Sequence, residues 1–314
     1  MKKLPATQFT CRATALLFAL ISLVGATQAQ TLFVSVNTGG TILKVTSGSF
    51  STFATGLLHP TGLAYGPDGN LYVSQDLSGS LTSVVSKVAV PGGTVTTAVS
   101  GLQLPLGLAF NSRGDLFIAS YSTPKAVLKV ASGSSTATTF SSVLNSPFGV
   151  AFNGSGTLFV ANRDDGTVVQ VDPSGNVTAF ASGFSQPNDL VFDGSGNLFV
   201  SNFSAGSISK VSPLGAVSTF VTGLSSPVGL AFDPVSGALF VAAQGTSSIY
   251  EVTNLSGATG SMSLFASGLG GVQYLTVQSS AVPEPSTYAA FAGLGVLGFA
   301  AWRRRKVMAA RVAA

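Results

Sequence analysis

Pro147-Phe148-Gly149-Val150-Ala151-Phe152 is a phrase that this 314-residue chain repeats. It returns as Pro60-Thr61-Gly62-Leu63-Ala64-Tyr65, Pro105-Leu106-Gly107-Leu108-Ala109-Phe110, Pro187-Asn188-Asp189-Leu190-Val191-Phe192 and Pro227-Val228-Gly229-Leu230-Ala231-Phe232. The five marker prolines are 45, 42, 40 and 40 residues apart, the length of one four-stranded propeller blade. After each phrase comes a turn rich in Asp, Asn, Gly and Ser, such as Gly154-Ser155-Gly156-Thr157, whose residue types accept hairpin geometry. A second apolar strand follows, Leu158-Phe159-Val160-Ala161 or Leu198-Phe199-Val200-Ser201, apolar on both faces and so expected between neighbouring blades. A third (Ala126 to Val130, Ser207 to Val211) and a fourth (Val217 to Leu224) complete each unit. The recurring Phe residues are expected to fill the wedge between sheets.

The ends set the number of blades. Thr31 to Val36, Thr41 to Val45 and Phe50 to Gly56 match second, third and fourth strands, so the first copy lacks an opening strand. Gly268 to Val277 aligns with Gly183 to Val191 and supplies it. The fold expected is therefore an all-β, six-bladed propeller of four-stranded blades, closed by both termini and followed by a C-terminal transmembrane helix. Closure of this kind leaves no inner blade edge open.

Three segments result: 1–29, 30–281 and 282–314. The first has Lys2 and Lys3, an apolar run from Ala13 to Val24 and small residues at Ala26 and Ala29, the pattern of a secretory signal peptide cleaved after Ala26 or Ala29. Cys11, the sole cysteine, lies within it, so the mature chain is expected to carry no thiol. The last segment contains Pro283-Glu284-Pro285, an apolar stretch over 286–302, and Arg303, Arg304, Arg305 and Lys306. The seventeen residues of that stretch reach the short limit of a membrane span, and the basic flank is expected to stay cytoplasmic.

This tail resembles the PEP-CTERM sorting signal. The resemblance implies an exosortase-type membrane protease as partner, transient residence in the inner membrane, and transfer to the cell surface or release, commonly beside exopolysaccharide.

Charge locates the surface chemistry. The whole chain carries +4, but eight of its fifteen cations lie in the two end segments. The central domain holds seven cations and ten acids, a net charge of −3, and no basic stripe. Nucleic-acid binding thereby loses its driving force. A monomer is expected.

The repeats resemble NHL and SMP-30/gluconolactonase-like propellers over the whole central domain, through the Pro-x-Gly-Leu-Ala-Phe and Leu-Phe-Val-Ala/Ser-Asn phrases. That group includes lactone hydrolases, lyases and binding scaffolds, so it leaves the activity open. The channel is expected to be lined by the residues just after each marker proline. These are mostly apolar or glycine; the exceptions are Asn188 and Asp189, with Gln273 and Tyr274 in the completing strand, and these four are the candidate ligand-binding residues. In the gluconolactonase-like enzymes the resemblance implies a divalent cation held by a Glu, an Asn and Asp residues, and Pro187-Asn188-Asp189 looks like part of that set. The partner acids are missing: Asp68, Asp115, Asp193 and Asp233 fall in or beside turns. No cofactor, metal ligand set or catalytic residue is therefore assigned. His59, the sole histidine, has no neighbouring acid or serine of recognisable context and reads as a loop residue. Arg163-Asp164-Asp165-Gly166 reads as a solvated loop able to contact a partner. The function expected is a binding or structural module at the cell surface or in exopolysaccharide, docking polysaccharide or envelope proteins. The alternative is a metal-dependent lactonase-like hydrolase.

Overall fold

The structure, a computed structural model, describes residues 30–77 and 83–278. The segment expected to be a signal peptide (1–29), Pro283-Glu284-Pro285, the expected membrane span over 286–302 and Arg303 to Arg305 lie outside them. Among the described residues no helix is long and apolar enough to cross a membrane.

Six four-stranded antiparallel sheets form the ring. Blades 2 to 6 open on Pro60–Tyr65, Pro105–Phe110, Pro147–Phe152, Pro187–Phe192 and Pro227–Phe232, each innermost in its sheet. Blade 1 is built from both termini: Val272–Val277 pairs antiparallel with Thr31–Val36, which continues into Thr41–Thr46 and Ser49–Ala54. The inner strands pack side by side in ring order, with Val272–Val277 between Pro227–Phe232 and Pro60–Tyr65.

Each position of the repeated phrase has its own cause. The residue before the inner strand adopts a left-handed backbone in all six copies: His59, Leu104, Ser146, Gln186 and Ser226 before the proline, and Gly271 before Val272. Its carbonyl accepts the N–H of the residue just past the second strand, from Asn37 to Gly271 at 3.1 Å and from Arg163 to Ser146 at 3.0 Å among others. The glycine lets adjacent inner strands touch: a Cβ on Gly62 would lie 2.0 Å from the Leu106 carbonyl oxygen, and one on Gly149 would lie 2.7 Å from that of Asn188. The final aromatic wedges between blades. Phe159 of blade 4 stacks edge-on against Phe180 of its own outer strand and Phe192 of blade 5, both at 4.9 Å. Phe117 repeats the trio with Phe140 and Phe152 at 5.0 Å.

The second strands are the driest elements, buried along their whole length in blades 3 to 6. Where serine follows the Leu-aromatic-Val run of these strands, its hydroxyl clasps the next blade: Ser35 donates to the Thr61 carbonyl at 2.6 Å, Ser74 to Leu106 at 2.7 Å and Ser201 to Val228 at 2.6 Å. Ala119, Ala161 and Ala242 hold that place in the other three blades.

Candidate functional site

The inner strands carry Asn188 and Gln273 at their second positions and Asp189 and Tyr274 at their third, and two of the four meet between non-adjacent blades. Tyr274 belongs to blade 1 and Asn188 to blade 5, so the tyrosine passes blade 6 to reach its partner. Its hydroxyl lies 3.2 Å from Asn188 Oδ1 and 3.3 Å from the Asn188 carbonyl oxygen, and donates to them. Tyr274 is 4% exposed and Asn188 3%, so the pair is a buried bridge. Burial, foremost, and the nearby Asp189 charge hold the phenol well above its ordinary pKa, while the charge of Arg163 pulls the other way. Gln273 is half-buried and does not join the bridge.

Asp189 takes the place that four blades give to glycine. Its Oδ1 accepts the N–H of Leu190 at 2.9 Å and its Oδ2 accepts that of Leu230, on blade 6, at 2.8 Å. The backbone N–H of Asp189 donates to Ser201 Oγ at 2.9 Å. Burial pushes the carboxyl up to about 7 against the lowering effect of the two N–H donors. Asp189 and Tyr274 also line a cavity of about 400 Å³. The rest of its wall comes from the later residues of the inner strands, such as Leu63 to Tyr65 and Leu230 to Phe232. This cavity thus opens beside the aromatic ends of the repeated phrase, whereas the sequence placed the lining at the proline ends.

These donors do not fit a resident divalent cation. Both Asp189 oxygens accept backbone N–H groups, and Asn188 Oδ1 accepts the tyrosine hydroxyl. Among the described residues no group of three or more His, Cys, Asp or Glu is placed to hold a metal ion. The remaining acids serve local structure: Asp193 Oδ1 caps its turn through the N–H groups of Ser195 and Asn197, and Asp115 pairs with Lys129 at 2.9 Å. His59 is exposed, with Nδ1 2.7 Å from Asn37 Oδ1, joining blades 2 and 1.

The Arg163 to Gly166 loop is solvent-exposed at Asp164 and Asp165, as a solvated loop should be, and it is also tied down by hydrogen bonds. Ser146 Oγ donates to Asp164, Asn145 Nδ2 donates to Asp165, and Lys125 Nζ of blade 3 lies 3.6 Å from Asp164. Arg163 turns the other way, its guanidinium carbon 4.8 Å from the Phe148 ring centroid and 5.2 Å from that of Phe203. Tyr121 stacks edge-on against Phe148 at 5.7 Å. This cluster was missed in the sequence, although a signal for it exists. Tyr121, Arg163 and Phe203 each follow the second strand in consecutive copies, and Phe148 holds in blade 4 the place of Asn188.

Fold comparisons agree with this architecture. A chain of a nidogen/laminin complex superposes with a TM-score of 0.67 at 19% identity, over 80% of this chain and 99% of that one. A gluconolactonase from Xanthomonas campestris gives 0.60 at 16% identity, over 68% and 79%. Virginiamycin B lyase from Staphylococcus aureus gives 0.56 at 14% identity, over 68% and 73%. At such identities the likeness shows the fold alone. No curated protein matches the chain. The class is thus a six-bladed β-propeller with gluconolactonase-like structural neighbours. Residues 281–306 match the PEP-CTERM protein-sorting motif. The chain is therefore an exported protein that passes through a membrane-anchored precursor to the cell surface, and exosortase is the protease that processes such motifs.

Proposed function

We propose that the exported propeller is a binding module of the cell surface or exopolysaccharide matrix, monomeric and without a resident metal. One observation carries this reading: a sorting motif is joined to a propeller in which the inner-strand polar groups Asn188, Asp189 and Tyr274 are committed to one another and to backbone N–H groups. A catalytic centre needs polar groups free to meet substrate. Ligand is engaged by the outer mouths and loops, which are wetted by hydroxyl and amide side chains in a chain with only 8% charged residues. The test is retention of the purified protein by native exopolysaccharide and by envelope extract. Retention by either supports the module, and passage through both unretained removes it.

A lactonase-like hydrolase is a second reading, favoured by Asp189, a carboxyl held near 7 beside a cavity. It requires turnover of a lactone panel that Asp189→Asn abolishes. Absence of turnover by the wild-type protein sets it aside.

A further inference from the structure

Of the seven cations in the central domain, five are half-buried: Lys87, Lys125, Lys129, Arg163 and Lys210. Four have oxygen partners. Lys87, Lys125 and Lys129 pair with Asp68, Asp164 and Asp115, and Lys210 donates to the carbonyl of Leu255 at 2.6 Å. Arg163 is the exception. Among the described residues its guanidinium has no ion pair, and it rests between the faces of Phe148 and Phe203. Leaving a half-buried guanidinium with its N–H fork unmatched is costly unless water or a ligand completes it. The two adjacent acids do not serve, because Asp164 and Asp165 are held by Ser146, Asn145 and Lys125.

We infer that Arg163, framed by Phe148, Phe203 and Tyr121, is a binding site for a carboxylate-bearing sugar unit of an acidic polysaccharide. The inference rests on the matrix-binding reading above and names its ligand class. A guanidinium fork matches a carboxylate through two parallel N–H to oxygen bonds. Stacking on the two rings fixes the plane of that fork, so little order is lost on binding. The three half-buried rings leave apolar surface beside the charge, suited to the C–H face of a pyranose. A net charge of −3 on the domain disfavours a polyanion as dense as a nucleic acid, whereas carboxylates set no closer than one per sugar along a glycan are spaced so that a single unit can be met by one cation.

The experiment uses the full-length protein in detergent against immobilised polygalacturonate and its carboxyl-reduced, neutral counterpart. Wild type should prefer the acidic polymer, and Arg163→Gln should weaken that binding by roughly tenfold or more, the value of losing a charge-assisted bond pair. Arg163→Lys, which keeps the charge without the fork, should fall between them and keeps the test open if the glutamine variant misfolds. Equal binding of both polymers, an unchanged Arg163→Gln variant of normal melting temperature, or stronger capture by polyglutamate than by polygalacturonate would overturn the inference. Native exopolysaccharide retained equally by wild type and variant overturns this site alone. Loss of all polymer and envelope binding by wild type overturns the module reading with it.

Discussion

Asp189 stands where glycine lets neighbouring inner strands touch, and Gly149 on the adjacent strand gives its carboxylate room. Its pKa of about 7 lies above the roughly 3.9 of an unfolded aspartate, so the folded protein holds this proton more tightly. Stability from this group is complete below pH ~4 and declines as pH rises to about 7, then levels. The melting temperature of wild type relative to Asp189→Asn should decline across that window, and parallel pH profiles would refute the buried carboxyl. Asp115 acts in the opposite sense. The Lys129 hydrogen bond, foremost, holds it down to about 2, so its stabilisation disappears as pH falls below ~4 towards 2, equally in both proteins. Tyr274→Phe removes the hydroxyl that bridges blades 1 and 5 and leaves Asn188 Oδ1 without that donor. The expected loss is about 0.5–1.5 kcal/mol, read as a melting temperature lower by roughly 1–6 °C. No change on calorimetry would mean that the bridge contributes nothing.

At the scale of the element, the inner strand is a joint between blades more than a lining for the channel. Its left-handed first turn anchors the neighbouring second strand, its glycine permits backbone contact, and its terminal aromatic enters the wedge. Phe159 tests the wedge, being 2% exposed and in ring contact with two blades. Phe159→Ala should cost about 3–5 kcal/mol in denaturant unfolding. Phe50→Ser, at a position 48% exposed on an outer strand, should change stability by no more than about 0.5 kcal/mol. Equal effects of the two would contradict the packing account.

The whole molecule joins a ring to an address. The ring is closed by main-chain pairing of Val272–Val277 with Thr31–Val36, reinforced where Gln30 donates to Asp233 of blade 6 at 2.8 Å. Closure places the C-terminal end of the propeller a few residues before the sorting motif at 281–306. Replacing Pro283-Glu284-Pro285 with alanines should therefore strand a folded precursor in the inner membrane, as read by fractionation and immunoblot. Normal surface delivery of that variant would refute processing at this motif.

Blade number, strand order and ring closure were legible in the linear chain, because each blade repeats the same local problem of turn, wedge and close approach. Positions of like role recur about every forty residues, so alignment of the chain with itself exposes them. The export address was equally legible, since a sorting signal is read as a contiguous segment. The Tyr274–Asn188 bridge was not, because its members are 86 residues apart and meet only when the ring closes past an intervening blade. The commitment of Asp189 to Leu230 and the seat of Arg163 between Phe148 and Phe203 were hidden likewise. Local periodicity determines which unit is built and how often. Which side chains of different units face one another depends on the curvature of the closed ring, and that geometry decided that, among the half-buried cations of the described residues, Arg163 alone rests on aromatic rings without an oxygen partner.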